Sequence, residues 1–187
     1  NLDYSFVSLS ALRENMDASL DIYADVILNP AFPSDELERL RSLSISAIKR
    51  EKTSPMSMAL RVFPKLVYGE GHPYSMPLTG SGTEASVAEI TRENLLSYHA
   101  DGFNPNNATM IVVGDITLDQ IKSKLGILFA DWKGQDVSKE KAPEVALPNR
   151  PRVFLIDRPD SEQSTVIVGH LIAPKDDQHE IAVQTMN

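Results

Sequence analysis

The sequence contains no cysteine. That absence excludes a disulfide framework, a thiolate zinc site and a cysteine nucleophile, and it leaves the compartment open. No apolar run approaches the roughly 20 residues that a membrane-spanning helix needs. Histidine is scarce, with four residues: His72, His99, His170 and His179. No two of them stand in His-x-x-x-His, and neither His-Glu-x-x-His nor His-x-x-Glu-His occurs. A histidine pair one helical turn apart is the minimum pattern for a helix-borne zinc site. No Gly-x-Ser-x-Gly elbow, Walker A loop or Gly-x-Gly-x-x-Gly fingerprint is present either. Gly80-Ser81-Gly82 reads as a loop. Basic residues are outnumbered, 18 Lys and Arg against 26 Asp and Glu, for a net charge of −8 and a pI near 5.0. This balance argues against nucleic acid or an anionic membrane as the main partner.

What is there is ordinary globular composition: 187 residues, 42% hydrophobic and 24% charged. That is enough for one cored domain and part of another. Asn1-Leu2-Asp3-Tyr4 carries neither Met nor a signal-peptide pattern, and Gln184-Thr185-Met186-Asn187 stops inside a predicted helix. The chain therefore reads as a section of a longer one.

Alternation over residues 4–12, with Tyr4, Phe6 and Ser8 on one face, predicts a half-buried strand. Met16, Leu20, Tyr23 and Ile27 recur at helical spacing over 15–28, and Asn29-Pro30 ends that helix. Ser34 is the expected N-cap of a helix running to Lys52, with Asp35 and Glu36 in its first turn. Leu37, Leu40, Leu43, Ala47 and Ile48 form its predicted inner face. Ser54-Pro55 starts a third helix, lined by Ala59, Val62, Phe63 and Leu66 and ending near Tyr68-Gly69. Residues 69–82 are too rich in Gly and Pro for regular structure. A short helix follows over 84–90, and Thr91 caps another that ends at Gly102. Asn104-Pro105-Asn106-Asn107 is a turn, and 108–114 reads as an apolar strand buried on both faces. Thr117 caps a helix with Ile121, Leu125, Leu128 and Phe129 inward. Residues 133–151 are charged, Pro-bearing and aperiodic, a linker. Beyond it, 153–157 and 163–172 read as strands, and a last helix starts near Asp177. The expected division is thus 1–132, the linker 133–151, and a second piece over 152–187.

His72 reads as a loop residue in a Pro-rich turn, His99 as a surface or hydrogen-bonded residue of an amphipathic helix, His170 as a strand residue and His179 as solvated. Asp35, Glu36 and Glu38 sit where dipole compensation explains them, and Lys49-Arg50-Glu51-Lys52 at the other helix end has the matching explanation. Taken alone, the residues reach an acidic α+β domain and stop there.

Several patterns in order resemble the insulinase/pitrilysin (M16) zinc metallopeptidase family. Residues 15–41 (NMDASLDIYADVILNPAFPSDELERLR) are similar to its helix, Asn-Pro-x-Phe break and acidic-basic helix. Residues 66–99 carry its Tyr-Gly-x-x-His-Pro-Tyr, Gly-Thr and Ile-Thr segments, and 103–117 (FNPNNATMIVVGDIT) its Pro-x-Asn turn, apolar run and Gly-Asp-Ile end. FADWKG (129–134) closes the block, and 157–170 (DRPDSEQSTVIVGH) resembles the opening of its next subdomain. The resemblance implies an α+β fold, the LuxS/MPP-like metallohydrolase fold, with antiparallel sheets covered by helices on one face in two related subdomains.

In that family a His-x-x-Glu-His helix supplies two zinc ligands and the general base, and a glutamate on a later helix supplies the third ligand. Three protein ligands leave a position for water, whose pKa the metal lowers. The later helix corresponds to residues 35–52, and matching Glu36-Leu37-Glu38-Arg39 to the family's acidic-basic start puts the ligand position at Ala47. Alanine has no donor atom. A one-residue shift would put Ser46 or Ile48 there, and Glu51, one turn later, is the nearest substitute carboxylate. The resemblance therefore implies a non-catalytic half that shapes the substrate chamber and supports proteolysis by a partner half. No catalytic residue lies in this chain on that reading, its substrate-binding residues are unknown, and zinc sits in the partner half. The expected partners are a catalytic M16 half, fused or separate, and a peptide substrate, in a bacterial, periplasmic setting. Two alternatives stand beside it: a scaffold subunit of the same fold without peptidase activity, and an active half whose third ligand lies elsewhere. An unpaired sheet edge would also drive self-association.

Overall fold

The computed structural model describes residues 3–136 and 141–172 together with Ile181, Ala182 and Thr185, and among the described residues six α-helices supply most of the regular structure. They are α1 (Met16–Leu28), α2 (Ser34–Glu51), α3 (Pro55–Tyr68), α4 (Glu84–Glu89), α5 (Arg92–Gly102) and α6 (Leu118–Leu128). Short 3₁₀ turns cover Arg13–Asn15, Pro73–Ser75 and Pro105–Asn107. The chain divides into two units, Asn1–Ser46 with Thr83–Glu140, and Ala47–Gly82 with Lys141–Asn187.

In the first unit, Leu20, Ala24 and Ile27 recur at i, i+4 and i+7 and form the buried stripe of α1. The helix stops because Pro30 bars a helical residue before it. Asn29 closes the end, its amide donating to the Asp25 carbonyl at 2.8 Å and its Nδ2 to Asp25 Oδ1 at 3.0 Å. Three threonines start α4, α5 and α6 of this unit. Thr83, Thr91 and Thr117 each accept from the amide three residues on, at Ser86, Asn94 and Gln120, whose side chains return the bond. Each such box contributes about 1 kcal/mol. At the far end of α4 the Arg41 guanidinium donates to the carbonyls of Val87, Ala88 and Ile90 at 2.5, 2.8 and 2.6 Å. It satisfies acceptors that a six-residue helix cannot satisfy internally. The buried Asn104 does similar work beyond α5. Its Oδ1 accepts from the amides of Asn106 and Gln135 while its Nδ2 donates to the Gln135 carbonyl.

The second unit is organised by a proline inside a helix. Pro64 of α3 has no amide hydrogen, so the Leu60 carbonyl one turn earlier loses its helical donor. The Leu78 amide takes its place at 3.1 Å and ties the 69–82 loop to the helix. Pro64 and Ile48 are the largest fully buried side chains. Arg152 donates to the Leu66 carbonyl at 2.9 Å. Gly169 lies so close to Phe63 that a Cβ there would come within 2.8 Å of the ring.

The helices fall where periodicity and capping put them. Ser34 is the exception in detail: it is the first helical residue, and Pro33 supplies the first carbonyl, to the Leu37 amide at 3.0 Å. The expected inner face of α2 is also only partly buried, since Leu40 and Leu43 are exposed. The larger correction concerns fold class. None of the segments expected as strands (4–12, 108–114, 153–157 and 163–172) is a strand, and no strand occurs among the described residues. The expected α+β architecture, an antiparallel sheet covered by helices on one face, is overturned, and the described fold is helical. Alternation and β-branched residues specify extended backbone, but a strand also needs a neighbour for its amides and carbonyls. No such ladder forms among the described residues. The run expected to be buried on both faces instead has Ile111 at 83% and Val113 at 93% exposure. The start of the last predicted helix, His179 and residues 137–140 of the expected linker lie outside the described residues.

Ile48→Ala is expected to cost about 3 kcal/mol, a fully buried side chain replaced by a cavity. Leu43→Ala, on an exposed position of the same helix, should cost under about 1 kcal/mol. Urea denaturation of the two variants checks the difference.

Candidate functional site

The C-terminal half of α2 carries the positions singled out from sequence. Ala47 is half-buried between exposed Ser46 and fully buried Ile48. Its methyl offers no donor atom, and neither does the Ile48 side chain.

Glu51 stands one turn on, and its Oε2 is already held. Its Oε2 accepts from Arg61 Nη1 at 2.6 Å and from Ser81 Oγ at 2.8 Å. Arg61 Nη1 also reaches Ser81 Oγ at 2.7 Å, and Nη2 donates to the Gly82 carbonyl at 2.7 Å. Ser81 gives its one hydroxyl proton to the carboxylate, so Thr79, 2.8 Å away, is the donor to Ser81. The side chains of Arg61 and Glu51 are 10% and 20% exposed. Burial pushes the Glu51 carboxyl up, but the hydrogen bonds from Ser81 and Arg61 and the charge of Arg61 outweigh it, and the carboxyl is lowered from its ordinary value. A metal ion binding here would have to displace the guanidinium from the oxygen it holds.

The three histidines among the described residues are each bonded to backbone. His72 accepts from the Tyr74 amide at Nδ1 and donates from Nε2 to the Pro143 carbonyl, both at 3.0 Å, while its ring stacks on Tyr68 at 4.9 Å. His99 donates to the Ile27 carbonyl at 2.7 Å and stacks on Phe103. His170 donates to the Leu171 carbonyl at 2.6 Å. Among the described residues no three of His, Asp and Glu come together as a metal site. A hollow of about 630 Å³ in the first unit is lined by Arg13, Asp115 and Lys124. Two ion pairs stand there, Arg13 with Asp115 and Lys124 with Asp17.

Arg61 and Ser81 are residues that reading along the chain missed. The available signal was Arg61 itself, the only charge in the first nine residues of an otherwise apolar helix. Nothing in the sequence pairs it with Glu51, ten residues back, or with a loop serine twenty residues on.

Residues 89–187 match the family described as Peptidase M16 inactive domain. An uncharacterized zinc protease of Bacillus subtilis is 25% identical over 167 residues, covering 89% of this chain and 39% of the relative. One of Rickettsia felis is 27% identical over 158 residues, covering 84% of this chain and 36% of the relative. The chain thus spans under two-fifths of the length of these relatives. The crystal structure of a peptidase M16 inactive domain from Pseudomonas fluorescens superposes with a TM-score of 0.65 at 26% identity, over 75% of this chain and 33% of that one.

Glu51→Gln is expected to destabilise the protein by about 1–3 kcal/mol at pH 7, because it leaves Arg61 with a neutral partner. The sign of its pH dependence follows from the lowered carboxyl. The carboxylate's contribution is complete above the ordinary glutamate range and is lost as pH falls through the depressed value. Denaturation at pH 7 and near pH 3 should therefore show the gap between parent and variant narrowing in acid.

Proposed function

This chain belongs to the peptidase M16 inactive domain family, and from that premise we propose that it is part of a non-catalytic half of an M16 zinc peptidase. In this reading it shapes the substrate chamber and supports proteolysis by a partner half, fused or separate, that holds the zinc. The division 1–132, 133–151 and 152–187 is kept as part of the proposal.

The observation that carries it is Ala47. The α2 position that resemblance matches to the third zinc ligand has a methyl group, half-buried, where a carboxylate would be required. Glu51 does not make up the loss, since Arg61 and Ser81 already hold its Oε2. The description of the family as inactive supports the same reading, and so do zinc protease relatives more than twice as long as this chain. They leave room for the chemistry in polypeptide other than these residues.

Elemental analysis after equilibration with zinc and exhaustive dialysis tests it. The 187-residue chain should retain no stoichiometric zinc and should not cleave an unstructured fluorogenic peptide by itself. Retention of one zinc per chain, abolished by Glu51→Gln, would overturn the proposal in favour of an active half with a displaced ligand.

A further inference from the structure

Two exposed apolar patches on this chain are flanked by charges of opposite sign. The first lies on α1. Opposite the buried stripe of Leu20, Ala24 and Ile27, the same helix turns Ile22 and Val26 to solvent at 67% and 52% exposure. With Val7 and Leu9 they line an apolar groove of about 220 Å³. Asp21 and Asp25 stand beside it on successive turns, both exposed. Carboxylates at i, i+4 spacing repel. Asp25 accepts a hydrogen bond from Asn29, whereas Asp21 has no partner among the described residues.

The second patch is the segment 150–158. Val153 and Leu155 are 94% and 93% exposed, and Phe154 and Ile156 are about half exposed. Three arginines, Arg150, Arg152 and Arg158, surround them against one acid, Asp157, so this stretch carries a net +2 (3 − 1) in a chain whose total is −8. Asp160 and Glu162 follow only after Pro159. Arg152 is held by the Leu66 carbonyl and the Phe154 ring. Arg150 and Arg158 make no ion pair among the described residues.

We propose that the occupant of the α1 groove is the 150–158 segment of a second copy of this chain, with Val153 and Leu155 in the groove and Arg150 and Arg158 against Asp21 and Asp25. Apolar burial supplies the affinity, and the charges set register and encounter rate. The two patches differ, so each contact joins one patch of a copy to the other patch of its neighbour. Its charged part weakens with salt, because screening falls to a length of about 3 Å at 1 M.

Sedimentation velocity of the 187-residue chain tests this. At low salt the weight-average sedimentation coefficient should rise with concentration, and the rise should shrink in 1 M salt. Asp21→Lys and Arg158→Asp should each raise the concentration at half-association about threefold or more, as loss and reversal of a surface charge pair does. The double variant should return towards the parent. Ile22→Asp should remove association while leaving the helical circular dichroism unchanged, since the position is exposed. A monomer at every concentration would overturn the proposal. So would association that survives Ile22→Asp, or a double variant no better than either single one.

Discussion

The second unit depends on one missing hydrogen. Pro64 cannot donate to Leu60, and a proline inside a helix costs about 3 kcal/mol where nothing compensates. Here the orphaned carbonyl becomes an attachment point for the Leu78 amide. Once Leu78 is fixed, the chain three and four residues later brings the Ser81 hydroxyl and the Gly82 carbonyl to Arg61, one helical turn before the proline. The guanidinium, fixed by both, then neutralises Glu51 on the neighbouring helix. The proline, the loop, the arginine and the carboxylate therefore form one dependent series. Its last member is the acidic residue that stands closest to the expected ligand position.

A carboxylate on a helix can be neutralised by a metal ion or by a guanidinium, and the two have different consequences. A divalent ion with three protein ligands keeps a coordination position for water and polarises it. A guanidinium is a permanent cation whose fork of donors fills the oxygen's acceptor directions, and it activates nothing. Glu51 has the second arrangement, completed by Ser81, whose hydroxyl Thr79 supports in turn. With alanine at position 47, this stretch of α2 is organised as a packing element. That organisation fits the proposed supporting role, in which rigidity matters and metal chemistry takes place elsewhere.

Legibility followed the range of the interaction. Helix starts were readable because each depends on residues three apart, as Thr91 and Asn94 or Thr117 and Gln120 show. Helix ends at Asn29-Pro30 and Tyr68-Gly69 were readable for the same reason. The position of Ala47 was read from a motif, and Glu51 from its being the next carboxylate. What holds Glu51 was not readable, because Arg61 and Ser81 lie ten and thirty residues away and the contact exists only after Pro64 has redirected a carbonyl. The strands failed for a related reason. Ile111-Val112-Val113 has the composition of a strand, yet pairing is a property of two segments, and a sequence run describes only one.

Polar groups and apolar groups end in different states in this fold. Among the described residues no buried side-chain nitrogen or oxygen lacks a partner. Arg41, Asn104 and Arg61 each close several contacts at once, so the buried polar side chains are satisfied among the described residues. The hydrophobic requirement is not met. Ile111, Val113, Val153, Leu155, Val166 and Val168 are all at least 80% exposed. Burying one such side chain is worth about 1.5–3 kcal/mol, so the six together represent about 10 kcal/mol, comparable to the whole stability of an ordinary domain. Exposed apolar side chains of that worth favour contact with further polypeptide, and a partner that covers some of them adds to stability as it binds. Polar groups that are self-sufficient and apolar groups that are not give a piece able to hold its local shape while depending on association for much of its free energy.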